Sequence, residues 1–130
     1  MSPRRIAVAF CVLAGGGDAL TGFLLLTAPG LVLRLLGLPA PADSLALVRF
    51  VGVFVGCVGL AYFYGLSRRY RLAPAIEMTA GVRLVVGLFL GVAATVGELE
   101  PPWLLIGAYD AIVATVQLWM LARGVFADAA

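Results

Sequence analysis

The sequence predicts an all-α membrane protein: four transmembrane helices in one bundle, with a short interfacial helix between the first and second. Three observations predict it. Of the 130 residues, 63% are hydrophobic and 12% are charged, whereas soluble domains carry roughly 25% charged residues. Mean hydropathy is +1.09. Four apolar runs are each about long enough to cross ~30 Å of hydrocarbon at ~1.5 Å per residue. Nothing in them alternates with the period of two that a membrane strand needs.

The runs are 6–26, interrupted by Asp18; 45–66, with Arg49 near its start; 74–96, containing Glu77 and Arg83; and 102–121, containing Asp110. Together they make a single domain over 1–130. Asp43 or Ser44 suits the N-cap of the second helix. Pro74 and Pro102 stand where a first helical turn tolerates a missing N–H. Trp103 and Trp119 lie near opposite ends of the fourth run, and Tyr62, Tyr64 and Tyr70 cluster at the end of the second, as rings at a bilayer interface do. The connection between the first two runs contains LVLRLLGLP at 31–39, too short to span. It reads either as a helix lying in the interface with Arg34 toward headgroups or as a lid over the bundle end. Arg4 and Arg5 precede the first run as in a signal peptide. That run is longer than a usual signal core, carries Asp18 and has no convincing A-x-A cleavage site, so it is expected to be a retained helix.

Arginine placement sets the orientation. Arg4, Arg5, Arg68, Arg69, Arg71 and Arg123 fall on one side, against Arg34 alone on the other, where Asp43, Glu98 and Glu100 also lie. The positive-inside rule then places both termini in the cytoplasm of a multi-pass protein of the cell (inner) membrane.

Missing residues narrow the chemistry. The chain has no His, Lys or Asn, and Gln117 is its only Gln. That excludes a haem imidazole, a His-bearing zinc site, a Ser–His or Cys–His pair and a Schiff-base lysine. No cofactor, metal or catalytic residue is expected. A net charge of +2, scattered along the chain, is no nucleic-acid footprint, so the lipid bilayer is the expected partner. Cys11 and Cys57 lie in apolar runs and read as buried thiols; a disulfide joining the first two helices is the alternative.

Asp18, Arg49, Arg83 and Asp110 stand inside the apolar runs, where a charge costs about 2.5–3.5 kcal/mol even on a permissive scale. They must face partners or a cavity. Spacing of three and four residues places Arg49 with Gly52, Gly56 and Gly59, Arg83 with Gly87 and Gly91, and Asp18 with Ala14 and Gly22. Gly107, Asp110, Ala114 and Gln117 share a face in the fourth helix. The small residues allow close helix approach, and Gly52, Gly56, Gly87 and Gly91 are also candidates for a contact with a second copy or a membrane partner protein. Counted from the expected cytoplasmic end, Asp18, Arg83 and Asp110 lie about 18, 14 and 17 Å deep, and Arg49 about 6 Å from the outer end. The expected contacts are Arg83–Asp110 and Arg49–Asp18. Asp18, Arg49, Arg83, Asp110 and Gln117 together form the candidate buried charge network or ligand or proton site. Glu77 is expected to pair with Arg71 and Arg69 at the interface. VRFVGVFVG at 48–56 echoes VRLVVGLFLG at 82–91, which suggests a repeated helix pair.

Three features, TAPGLVLRLLGL after the first helix, an Arg followed by glycines in the second, and Arg83 with Gly87 in the third, resemble those of small uncharacterised bacterial integral membrane proteins with four helices. That resemblance implies architecture and no activity. The chain is also superficially similar to small multidrug-resistance transporters, through four helices and a first-helix carboxylate. It departs from them in having Asp18 rather than Glu, a long first connection, and Arg49 and Arg83.

Two function classes follow. The first is a non-catalytic membrane protein, either an accessory subunit or a hydrophobic-ligand binder, with a buried Asp/Arg seam. The second is a small proton- or ion-coupled transporter in which Asp18 or Asp110 changes protonation. A membrane enzyme ranks third, held back by the missing His and Lys. Reporter fusions at Met1 and at Ala130 should both read cytoplasmic; a periplasmic signal from either would contradict the arginine-based orientation.

Overall fold

The computed structural model describes residues 2–126, apart from the Arg69 side chain, and is helical without strands among those residues. The helices are α1 (Pro3–Thr27), α2 (Pro29–Leu35), α3 (Leu45–Ser67), α4 (Leu72–Thr95) and α5 (Trp103–Ala122), with single 3-10 turns at Ala42–Ser44 and Arg69–Arg71. Four of them, all but α2, are long and apolar enough to cross a membrane. Each of the four expected runs is therefore a helix, with ends moved by three residues or fewer.

Helix ends are set locally. Ser2 caps α1 by accepting from the Arg5 N–H, and Pro3 occupies the first turn, where its missing N–H costs nothing. Neither Asp43 nor Ser44 caps α3 with its side chain; the Ser44 hydroxyl instead donates to the Pro41 carbonyl at 2.9 Å. Pro102 is the N-cap residue of α5, and Pro74 lies in the first turn of α4.

The bundle is two antiparallel helix pairs. α1 packs along α3, and α4 along α5, while α3 meets α4 near their connection. No α-carbon of α1 comes within 8 Å of one in α4 or α5 among the described residues. Side chains, not backbones, join those elements. The large residues face outward, with Leu13 76% and Leu105 75% exposed. Small and polar ones are buried, including Ala7, Ala14, Asp18, Thr79, Arg83, Ala114 and Gln117. Lipid tails are as apolar as leucine, so a membrane bundle gains more from close backbone packing and internal hydrogen bonds than from hiding apolar surface.

Close approach is tightest at the α1–α3 crossing. A β-carbon on Gly22 would stand 2.5 Å from the Gly56 α-carbon and 2.6 Å from the Gly52 carbonyl oxygen. At the α4–α5 crossing a β-carbon on Gly87 would lie 3.0 Å from the Gly107 carbonyl oxygen. Gly52 and Gly87 thus spend their small faces inside this chain. A β-carbon on Gly91 would meet nothing within 4 Å, and Leu90 continues the buried face of α4 in its place.

The connection after α1 does fold as a short helix. Pro29, Leu33 and, just beyond it, Leu38 are buried, while Leu35 is 78% exposed and Arg34 is exposed. Among the described residues the α-carbons of α2 approach those of α1 and α3 and not those of α4 or α5, so its buried face packs as a lid on that pair, while the exposed Arg34 and Leu35 fit the expected interfacial placement. At the opposite end Ala7, Cys11, Tyr62, Leu72, Ile76, Met120 and Phe126 form a closed apolar cluster. Phe10 packs edge-on against Tyr62 and Phe126, with ring centroids 6.3 and 6.5 Å away. Cys11 is buried and Cys57 exposed, both free thiols, so no disulfide joins α1 to α3.

Overpacking a tight crossing costs typically about 1–3 kcal/mol. Gly22→Ala should lower the thermal midpoint in detergent, while Gly91→Ala should leave it unchanged or slightly raised. Equal effects from the two would contradict the crossing described here.

Candidate functional site: a charged triad flooring an apolar cavity

Arg83 projects from the middle of α4 into the gap between the helix pairs, and its side chain is 4% exposed. It forms ion pairs with Asp18 of α1 through Nη2 and with Asp110 of α5 through Nη1. Its Nε–H donates to the Tyr62 hydroxyl of α3 at 3.2 Å. One guanidinium therefore holds a group on every other transmembrane helix. A planar fork with fixed donors suits this role better than a lysine ammonium would.

The network continues toward the closed end. Gln117 Nε2 donates to Tyr62 Oη at 3.0 Å and to Thr79 Oγ1 at 2.8 Å, with the Ile76 carbonyl 3.4 Å away. The Thr79 hydroxyl donates to that same carbonyl at 3.1 Å. Gln117 Oε1 is the one buried side-chain polar atom without a partner among the described residues.

Above the triad lies a cavity of about 530 Å³. Its lining residues come from both pairs, in the half of the bundle that carries α2. Leu33 of α2 and Leu36 just after it, Phe54 of α3, Val86 of α4, and Trp103 and Ile106 of α5 contribute to its largely apolar wall. Asp18, Thr21, Arg83, Tyr109 and Asp110 supply its polar part, with the Arg83 guanidinium 5.6 Å from the Tyr109 ring centre. The lower half of the bundle is plugged by the apolar cluster around Ile76 and Phe126. The cavity is one-sided.

The expected Arg83–Asp110 contact is present, and Gln117 joins the network through Tyr62. The expected Arg49–Asp18 contact is absent: Arg49 is exposed, and Asp18 takes its bond from Arg83. The reason is depth. Arg49 sits about one turn inside α3, where a long side chain snorkels to the interface, whereas Arg83 lies level with both carboxylates. The arginines of the Val48–Gly56 and Val82–Gly91 echo accordingly occupy different environments, Arg49 exposed and Arg83 buried. Glu77 is exposed and makes no ion pair with Arg71; its other expected partner, the Arg69 side chain, lies outside the described residues. Arg71 instead stacks over Tyr64 and Tyr70, with ring centres 4.6 and 5.2 Å away.

Tyr62 is the main residue that the sequence reading misplaced. It sits with the interfacial tyrosines in sequence but is wholly buried in the structure. Its spacing did carry a signal, since Gly52, Gly59 and Tyr62 follow at seven and three residues on one helical face. Thr79, one turn before Arg83, was legible in the same way.

Fold and site together define a helical membrane bundle with a one-sided, mostly apolar cavity floored by a carboxylate–guanidinium–carboxylate triad. The chain matches no protein-family model, no curated protein and no solved structure.

Removing one partner of a buried ion pair leaves an uncompensated charge at a cost of about 3–5 kcal/mol. Asp18→Ala and Arg83→Ala should each lower the thermal midpoint, and the double variant should lose less than the two singles summed. Additive losses would reject the pairing. Tyr62→Phe should cost about 1–2 kcal/mol, because Arg83 and Gln117 each lose an acceptor.

Proposed function

We propose that this protein is a non-catalytic, multi-pass membrane protein that binds a hydrophobic ligand in the cavity above Arg83. The cavity itself carries the reading. Its volume of about 530 Å³ falls within the range of small-molecule sites, and apolar walls with a few convergent polar groups are what such sites use. The α2 lid and the closed opposite end favour binding over conduction. The arginine distribution supports cytoplasmic termini and so an outward-facing mouth. An accessory role beside another membrane protein is compatible with the same cavity, and Gly91 is the member of the glycine set whose face is open to a partner.

A second reading, proton- or ion-coupled transport, draws on one observation: the cavity reaches both carboxylates. It requires the Ile76–Phe126 plug to open in alternation with the α2 lid. Asp110→Asn separates the two readings, because it should abolish a proton-linked flux in a transporter and have no flux to abolish in a binder.

The binding reading is tested by mass spectrometry of protein extracted in native lipid. The wild type should retain an apolar molecule at near-stoichiometric level, enriched over the surrounding lipid. Ile106→Trp, which fills the cavity, should lose it while keeping the thermal midpoint within a few degrees. Identical lipid composition in both proteins would contradict the proposal.

A further inference from the structure

We infer that the cavity selects an amphiphile with a primary ammonium head, a single positive charge bearing N–H donors, carried on an apolar tail. The inference rests on the ligand-binding reading and adds the ligand's chemical class. Two observations carry it. The first is the charge count at the floor: two carboxylates face one guanidinium. No further charged side chain lines the cavity, so with all three groups ionised the floor holds one net negative charge. In a poorly solvated site such a charge attracts a cation far more strongly than it would in water.

The second observation is the set of open acceptors. Asp18 uses Oδ2 and Asp110 uses Oδ1 for Arg83. Their remaining oxygens, Asp18 Oδ1 and Asp110 Oδ2, have no protein hydrogen bond among the described residues. They are also not sealed, since the only fully buried unpartnered side-chain atom there is Gln117 Oε1. Both residues line the cavity. Asp18 is buried, at 7% exposed, and the cavity it lines offers a route to its free oxygen. An ammonium seated between the two aspartates would bring the missing charge and donate to both oxygens. A carboxylate or phosphate head would meet repulsion. A quaternary ammonium would bring charge without donors. The tail would lie along Phe54, Val86 and Ile106 under the α2 lid, with Trp103 in its wall.

Trp103 also supplies the readout. The chain has two tryptophans, and Trp119, 56% exposed, does not line the cavity. In a Trp119→Phe background, Trp103 alone reports the cavity. This protein, in phosphatidylcholine nanodiscs, is titrated with four bromophenylbutyl probes that share a tail and carry ammonium, trimethylammonium, hydroxyl or carboxylate heads. Bromine quenches the indole on contact. The same titrations with Asp110→Asn added cancel differences in membrane partitioning. The ammonium probe should lose about tenfold or more in affinity, the scale of a charge-assisted hydrogen bond, while the hydroxyl probe changes by less than about twofold. In the unmodified site the ammonium should outbind the trimethylammonium, and the carboxylate should not quench. A loss shared equally by ammonium and hydroxyl, or no loss, overturns the inference and leaves hydrophobic binding standing. No quenching by any probe, with Trp103 emission unchanged, overturns the binding reading itself. Asp18→Asn gives an independent repeat in case Asp110→Asn misfolds.

Discussion

Arg83 is the constraint on which the rest of the molecule depends. The α1–α3 and α4–α5 pairs are each held by close backbone packing at small residues, but α1 has no backbone approach to α4 or α5. What bridges that gap is one guanidinium bonded to Asp18, Tyr62 and Asp110, together with the apolar plug at the closed end. In a bilayer, where apolar contact between helices gains little over contact with lipid, a multidentate polar contact is an effective way to fix two pairs in register. It is also costly to leave half made. The same side chain therefore sets the assembly and forms the floor of the cavity.

Position along the membrane decides which charges take part. Asp18, Arg83 and Asp110 sit at similar depth on three helices, so one side chain reaches both acids. Arg49 lies near a helix start and remains outside the network. Below Arg83, Tyr62, Thr79 and Gln117 continue the polar chain into the closed half, where the surrounding apolar cluster seals it. Above Arg83 a cavity lies between the helix pairs and its wall is largely apolar. The molecule thus has a closed half and an open half, and the carboxylates stand at the boundary.

Much of this was legible in the residues. Apolar runs with charges inside them specify the helices, and three- and four-residue spacing puts Asp18, Arg83, Asp110 and Gln117 inward. The Arg83–Asp110 pair follows from depth alone. What spacing does not reveal is which neighbour a helix chooses, and that choice decides between Arg49 and Arg83 as the partner of Asp18. Tyr62 was obscured by its sequence neighbours: Tyr64 and Tyr70 are indeed exposed, and the two-residue step from Tyr62 to Tyr64 turns the side chain about 200° around α3. The cavity was not readable at all, because it is the space left where two pairs splay, and no residue type marks a gap.

The central claim is that Arg83 holds the two helix pairs in register away from the α3–α4 connection and the apolar plug. It is tested most directly by distances between spin labels in a background with Cys11 and Cys57 replaced by alanine. Labels at the exposed positions Phe23 of α1, Leu47 of α3 and Leu105 of α5 report one spacing within a pair and one between pairs. In Arg83→Met the Phe23–Leu47 distribution should remain narrow, while the Phe23–Leu105 distribution should broaden and lengthen. If both distributions match those of the unmodified protein, or both broaden together, Arg83 is not the joint between the pairs.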